Sequence, residues 1–363
     1  MLKRQQSCDA QPPVFSGRSE FYATLRERVA DSLKDVNRWG GARSQAKAAI
    51  FLVAYVVNLL AIITVPYPEM QVALFVSWGV IHAGVGFNIF HDSVHGSFSR
   101  SMISNRLVAF VSCSLLGVSR YFWYHKHNVL HHRYSNVNGW DDDLETRGSL
   151  RLSPGQPWSM RYRFQHIYAP LVYALTTFEW IFIKDFVQYF TLEMNRNQSV
   201  PPMNKQDHME FWVSKAAYIL IAIILPLGFM SPGYFIAGFV LLHLTLSLVL
   251  ASIFQLAHVT ALCAFPEPDR GSRMMGTDWA IHQMKTTADF STANKWITWF
   301  SGGLNYQVEH HLFPQVNHVH YPLINRILVG TAREFNVPYH CYPTYIEALA
   351  GHLRALKSLN VPA

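Results

Sequence analysis

The chain has 363 residues, of which 50% are hydrophobic, 14% aromatic and only 15% charged. A soluble domain carries about 25% charged residues, so the composition argues against an ordinary soluble domain and for a membrane protein. The net charge of +7 suits a surface facing anionic lipid headgroups, and no nucleic-acid partner is expected.

Residues 1–45 read as a polar, basic N-terminal segment and residues 46–363 as one domain, since no internal repeat, low-complexity tract or Gly/Ser linker divides them. Met1 to Arg18 lacks the apolar stretch of a cleavable signal peptide. Four segments approach or reach the roughly 20 residues that cross about 30 Å of hydrocarbon. They are Ala46–Val65, Met70–Phe90, Trp212–Met230 and Gly233–Leu256. Pro66-Tyr67-Pro68-Glu69 and Ser231-Pro232 leave room only for tight turns, so the spans are expected to pair as two hairpins. Each span must satisfy its own backbone polar groups, which makes helices the expected form. The fold class is all-α and integral to the membrane.

Lys3, Arg4, Arg18, Arg26, Arg28, Lys34, Arg38, Arg43 and Lys47 crowd the N-terminal end, and neither hairpin turn holds Lys or Arg. The positive-inside rule therefore places that end in the cytoplasm. Leu107–Val118 is short for a span and reads as a re-entrant or interfacial helix. Tyr168–Phe190 is broken by Glu179, Lys184 and Asp185 and reads as an interfacial amphipathic helix. Cys8, Cys113, Cys263 and Cys341 are scattered and expected to remain thiols in a reducing cytoplasm.

Three histidine clusters follow the apolar stretches: His91-Asp92-Ser93-Val94-His95, His127-Asn128-Val129-Leu130-His131-His132 and Gln307-Val308-Glu309-His310-His311. The topology puts all three on the cytoplasmic side, in a helical cap over the spans. Neutral imidazole is the commonest metal ligand, and ligands this numerous imply more than one ion. His91 and His95, like His127 and His131, are four apart and project from one helix face. His132 then points about 100° away on the same helix, so one helix can serve two ions. Gln307 stands three residues before His310 and four before His311. His258, just past the fourth span, is a further candidate. His243 sits about 22 Å deeper on that helix at 1.5 Å per residue. It and His82 read as hydrogen-bonded polar residues within the membrane. His125, His318 and His320 lie near the clusters without their spacing.

Imidazole-rich sites without thiolate suit Zn, Cu, Fe or Ni. Structural zinc usually recruits Cys, and no cluster contains one, so two iron ions with open positions are the expected metals. Asp92, Asp141, Asp142, Asp143 and Glu309 are candidates to orient the imidazoles; the alternative for the Asp run is a solvated loop after Gly139.

These residues resemble the three histidine boxes of the membrane fatty acid desaturases. Gln307 stands where many members have histidine. That form, in Asn305-Tyr306-Gln307-Val308-Glu309-His310-His311-Leu312-Phe313-Pro314, is similar to the front-end and linoleoyl-CoA desaturase-like branch. Trp279-Ala280-Ile281-His282-Gln283, His318-Val319-His320-Tyr321-Pro322 and Phe21-Tyr22-Ala23-Thr24-Leu25-Arg26 look like bacterial members, so a bacterial inner membrane is expected. The resemblance runs from about Phe15 to the C-terminus. It implies a non-haem di-iron centre held by His91, His95, His127, His131, His132, His258, His310 and His311, with Gln307 at a ligand position. It also implies dioxygen as oxidant and an acyl chain carried by CoA, lipid or carrier protein as substrate. No His-Pro-Gly-Gly motif of a fused cytochrome b5 domain occurs, so electrons are expected from a separate ferredoxin or cytochrome b5. The same metals also support hydroxylation, epoxidation or acetylenic bond formation. A histidine-rich metal transporter is a distant alternative, because it needs ionisable residues along the spans rather than at their ends.

Overall fold

The computed structural model describes residues 11–195 and 197–361; Lys3, Arg4 and Cys8 lie outside them. Helices dominate. A short helix, α1 (Glu20–Ser32), starts at Ser19, whose hydroxyl accepts from the Tyr22 N–H, satisfying one of the free donors of a helix start. Then come α2 (Gly41–Thr64), α3 (Pro68–Val94), α4 (Met102–Leu116), α5 (Arg120–Tyr134), α6 (Gln165–Ala174), α7 (residues 176–191), α8 (Lys205–Leu227) and α9 (Pro232–His258). The chain ends with α10 (Trp279–Thr286), α11 (Lys295–Phe300), α12 (Gln307–Leu312), α13 (Tyr321–Glu334) and α14 (Tyr345–Ser358). Two small pairs complete it: β1 (Glu193–Asn195) runs antiparallel to β2 (Gln198–Ser199), and β3 (Asp289–Phe290) runs parallel to β4 (Cys341–Tyr342).

Four helices, α2, α3, α8 and α9, are long and apolar enough to cross a bilayer. Their outward faces expose Val53, Val57, Leu60, Leu220, Ile224 and Ile236, a surface stable only against lipid. Lipid tails are as apolar as leucine, so association of the spans depends on close packing. Gly79 supplies it: a Cβ there would sit 2.6 Å from the Leu242 carbonyl of α9. Trp78 and Phe75 fill the rest of that seam, fully buried.

The helices overrun the apolar stretches read from the sequence. Apolar character falls off before backbone pairing does, so α3 continues through His91 to Val94 and α9 to His258. These histidines ride on the last turns of spans rather than in the loops beyond them. The segment around Leu107–Val118 becomes α4 and joins α5 at a bend of 112°. Gly117 makes the bend: its φ is 75°, and a Cβ there would meet the Tyr218 ring at 2.6 Å.

Of the charges in α7, Lys184 and Asp185 turn inward, while Glu179 stays near the surface. Buried Asp185 accepts from Lys215 of α8 at 2.7 Å and from the Ser119 N–H at 2.8 Å. Lys215 also donates to the carbonyls of Gly117 at 2.6 Å and Ile181 at 2.8 Å. Lys184 pairs with Asp142 at 2.6 Å and Glu179 with Arg147 at 3.0 Å. Lys215 thus gives its three protons to Asp185 Oδ2 and two carbonyls, and the pair pins α7 against α8 and the bend between α4 and α5. Over the spans, α1, α10, α12 and α13 share one apolar cluster, with Phe21, Leu25, Met284, Val308 and Leu328 at its centre.

Candidate metal centre

Two helix distortions set the geometry. Gly86–Phe90, just before His91, and His125–His131 are π-helical, a form that adds a residue to the turn. Asn88 donates to the Gly84 carbonyl at 2.8 Å and the Phe300 carbonyl at 2.9 Å, an inserted side chain of the kind that distorts a helix ladder.

Seven of the eight histidines form two groups. The ligand-capable atoms of His91, His95, His127 and His310 lie within 4.8 Å of one another, and so do those of His131, His258 and His311. The eighth, His132, joins His310 and His311 in a third such set and so stands between the two groups. Its Nε2 is 2.9 Å from His310 Nε2 and 3.3 Å from His127 Nε2. Gln307 places its amide Nε2 2.9 Å from His258 Nε2. All nine side chains are buried.

The four-residue spacing brings His91 and His95 into one group, with rings 4.7 Å apart. His127 and His131 share a ligand-capable set with Asp143, but in the all-imidazole groups they part, and His132 reaches back to His127. In an i→i+5 turn, residues five apart share a face, which an α-helical reading misses.

Four of the eight rings are fixed by the nitrogen facing away from the centre. His131 Nδ1 lies 3.0 Å from Asp141 Oδ1, His311 Nδ1 2.7 Å from Gln283 Oε1, His310 Nδ1 3.1 Å from the Tyr321 hydroxyl and His258 Nδ1 3.3 Å from the Ser135 hydroxyl. The acceptors Asp141 and Gln283 require protonated Nδ1 atoms, which leaves a lone pair on Nε2 of His131 and of His311. Both lone pairs fall in one group. Nε2 of His311, Nε2 of His95 and both ring nitrogens of His91 have no hydrogen-bond partner although buried. Buried polar atoms are normally paired; converging lone pairs without donors are the arrangement that a cation completes. The residues therefore fit metal ions.

Electrostatics agree for five of the rings. Burial, reinforced by neighbouring imidazoles, holds His95, His127, His132, His310 and His311 well below the ordinary imidazole range, so they stay neutral and able to coordinate. For His131 burial pushes down, but the Asp141 and Asp143 carboxylates prevail and raise it.

The Asp run is structural rather than a solvated loop. Asp141 braces His131, Asp142 holds Lys184, and Asp143 pairs with Lys126 and lies 3.2 Å from His131. Glu309 points away from the groups; its Oε1 accepts from Asn325 at 2.8 Å, and Asn325 also reaches Asp289 at 3.2 Å. Burial raises both carboxyls, Asp289 to about 6.

His82 and His243 are hydrogen-bonded within the spans, His82 to the Trp78 carbonyl at 2.8 Å and His243 to the Thr177 and Tyr218 hydroxyls at 2.9 Å each. His318 joins Asp92 at 2.6 Å and Lys47 at 3.0 Å, His125 packs tilted against Tyr121 with ring centroids 4.6 Å apart, and His320 meets the Asn37 carbonyl at 2.8 Å. None of these enters the groups. Ser135, Gln283 and Tyr321 orient ligand-capable rings and carry no spacing signal that sequence reasoning can use.

Three adjoining cavities lead past the centre. The outer one, about 400 Å³, is bordered by Lys126, Arg147 and Lys184. The middle one touches His127 and His258. The inner one touches His91 and ends among Leu116, Ile181 and Leu246. Trp123 and Trp180 border all three.

Four apolar helices and two adjoining imidazole groups, held by α3, α5, α9 and α12, define an integral membrane protein with a metal-competent, histidine-rich centre. The sequence model of the family described as fatty acid desaturase matches residues 69–343. The chain belongs to the fatty acid desaturase family and is an oxidoreductase of lipid metabolism. It is 35% identical over 280 residues to an sn-1 linoleoyl-lipid 6-desaturase of Synechocystis, covering 77% of each chain. It is 34% identical to an acyl-lipid (8-3)-desaturase of Physcomitrium patens over 94% of this chain and 72% of the relative. It is 30% identical to an acyl-lipid (8-3)-desaturase of Mortierella alpina over 96% of this chain and 80% of the relative. These relatives place it with the front-end type of desaturase.

Proposed function

We propose that the chain introduces a carbon–carbon double bond into an acyl chain esterified in a membrane lipid. One observation carries the reading: three adjoining cavities lead from a mouth bordered by charged side chains, past His127, His258 and His91, to an apolar end. The mouth favours a lipid over CoA. Its cations Lys126, Lys184 and Arg147 are each paired, with Asp143, Asp142 and Glu179, which leaves none of the three free for the phosphates of CoA. The names of the relatives, acyl-lipid and linoleoyl-lipid desaturases, point the same way.

Two iron ions would be held by His91, His95, His127 and His310 on one side and by His131, His258, His311 and Gln307 on the other, with His132 between. When bound, they supply the dioxygen reduction and hydrogen abstraction that no side chain here supplies. The chain's own work is placement. Trp123 and Trp180 border the whole path and hold one methylene pair beside the centre while excluding water. Leu246 and Ile181 receive the methyl end. Asp141 Oδ1 and Gln283 Oε1 hold the Nδ1 protons of His131 and His311, which keeps Nε2 free as a donor atom. The reaction balances as –CH2–CH2– plus dioxygen, two electrons and two protons giving –CH=CH– and two waters. The electrons come from a separate ferredoxin or cytochrome b5.

The spans read as two hairpins with turns on the far side. The polar N-terminal segment to residue 45 and the helical cap lie on the cytoplasmic side of a bacterial inner membrane, and residues 46–363 form the desaturase domain. The test is expression in a bacterium without polyunsaturated lipids, fed saturated, monoenoic and dienoic acids, with double bonds mapped by mass spectrometry. A new double bond that vanishes with His131→Ala is expected. A hydroxylated, epoxidised or acetylenic product would replace the reaction while keeping the site.

A further inference from the structure

A second approach reaches the imidazole groups from elsewhere. A cavity of about 710 Å³ touches His95 and His132 and shares no lining residue with the acyl path. It runs into a groove of about 1000 Å³ between α1 and the turn after α12; Arg38, Trp39, Pro314 and Gln315 border both. Trp279 lines the groove, and its Nε1–H donates to the His132 carbonyl at 2.9 Å. A single hydrogen bond thus joins the groove wall to the backbone of the histidine between the two groups.

The charge pattern differs from that of the acyl mouth. Arg26, Arg38 and Arg100 line this second approach, and among the described residues none has a carboxylate within ion-pair distance. Arg38 and Arg100 are exposed. Arg106 and Arg120 deeper in are held by Asp207 and Glu210, and Lys34 by Asp31. Glu27 is the one carboxylate among the lining residues described.

We propose that this groove is the docking surface for an acidic protein that carries one electron at a time. The proposal rests on the desaturase reading, which requires two electrons per double bond and hence two dockings per turnover. Unpaired cations around a concave surface attract and orient an acidic partner. The groove's depth favours a protein over a bilayer: a protruding edge can enter it to approach Trp279, whereas a flat headgroup layer cannot.

The test uses the full-length, iron-loaded protein in detergent and reduced plant-type [2Fe–2S] ferredoxin as the probe. Binding is measured by biolayer interferometry over a range of salt, for the wild type and R38E/R100E. Product formation is measured with ferredoxin and, separately, with dithionite and a small mediator. Wild-type binding that weakens with salt is expected, with a loss of about tenfold in the charge-reversed variant as steering is removed. Dithionite-driven product should be unchanged. Should R38E/R100E fail to fold, R38Q/R100Q is expected to show the same direction with a smaller loss. Equal ferredoxin binding by wild type and variant overturns the proposal. Unchanged ferredoxin binding with lost binding to phosphatidylglycerol vesicles overturns it in favour of a membrane patch. Absence of any dithionite-driven double bond in the wild type overturns the desaturase reading instead, and the binding comparison still decides the groove.

Discussion

Asp141 and His131 are locked together, with the carboxylate Oδ1 3.0 Å and Oδ2 3.1 Å from the imidazole Nδ1. The same carboxylate accepts from the backbone N–H groups of Asn136 at 2.8 Å and Asp143 at 3.0 Å. One side chain thus ties a ligand-capable ring to the loop that shapes the mouth of the acyl path.

Asp141→Ala should lower iron affinity about 10- to 100-fold, the usual cost of losing a carboxylate behind a metal-bound imidazole. Iron retained after graded chelator, measured by mass spectrometry of the metal, checks it. Asp141→Asn, which keeps an acceptor oxygen, should fall between. Full iron retention in Asp141→Ala would show that the ring needs no such brace.

Gln307→Leu removes the amide beside His258 and leaves His91, His95, His127 and His310 untouched. The expected result is selective loss of the ion in the second group. Mössbauer or metal-stoichiometry measurement distinguishes this from loss of both ions, which would mean that the groups do not act separately.

The inner end of the acyl path should set chain length. Gly86 borders it, and a Cβ there meets only Leu116, at 3.9 Å, so a larger side chain enters the cavity without backbone clash. Gly86→Leu should shift preference toward shorter acyl chains, by about tenfold against the longest one accepted. Product ratios from a fed chain-length series report it. Unchanged ratios would place the methyl end elsewhere.

Lys215→Ala leaves Asp185 buried without its cation and should cost about 3–5 kcal/mol, read as a lower unfolding temperature in detergent. Lys215→Met combined with Asp185→Leu should recover most of it, because the unpaired charge is gone. Equal loss in the single and double variants would show that the packing of α7, rather than the charge, was at stake.

Membrane class, four spans and the histidine clusters were legible in the sequence, because apolar length and residue chemistry are local properties. So was the inertness of His82 and His243, since depth along a helix follows from residue count alone. The reach of His132 back to His127 was not legible. An α-helical period points the two apart, and the π-turn that brings them together depends on how the helix packs.

Tertiary structure alone decided the rest. Lys184 and Asp185 read as charges that break an interfacial helix until Asp142 and Lys215 arrive from distant segments to pair them. Gln283 and Tyr321 have no signature as orienting residues, because that role exists only where α10 and α13 meet α12. The sequence by itself determined which atoms can bind metal and that they follow the ends of apolar stretches. Only the packed structure determined which atoms converge, because convergence within 4.8 Å is a relation between helices far apart along the chain.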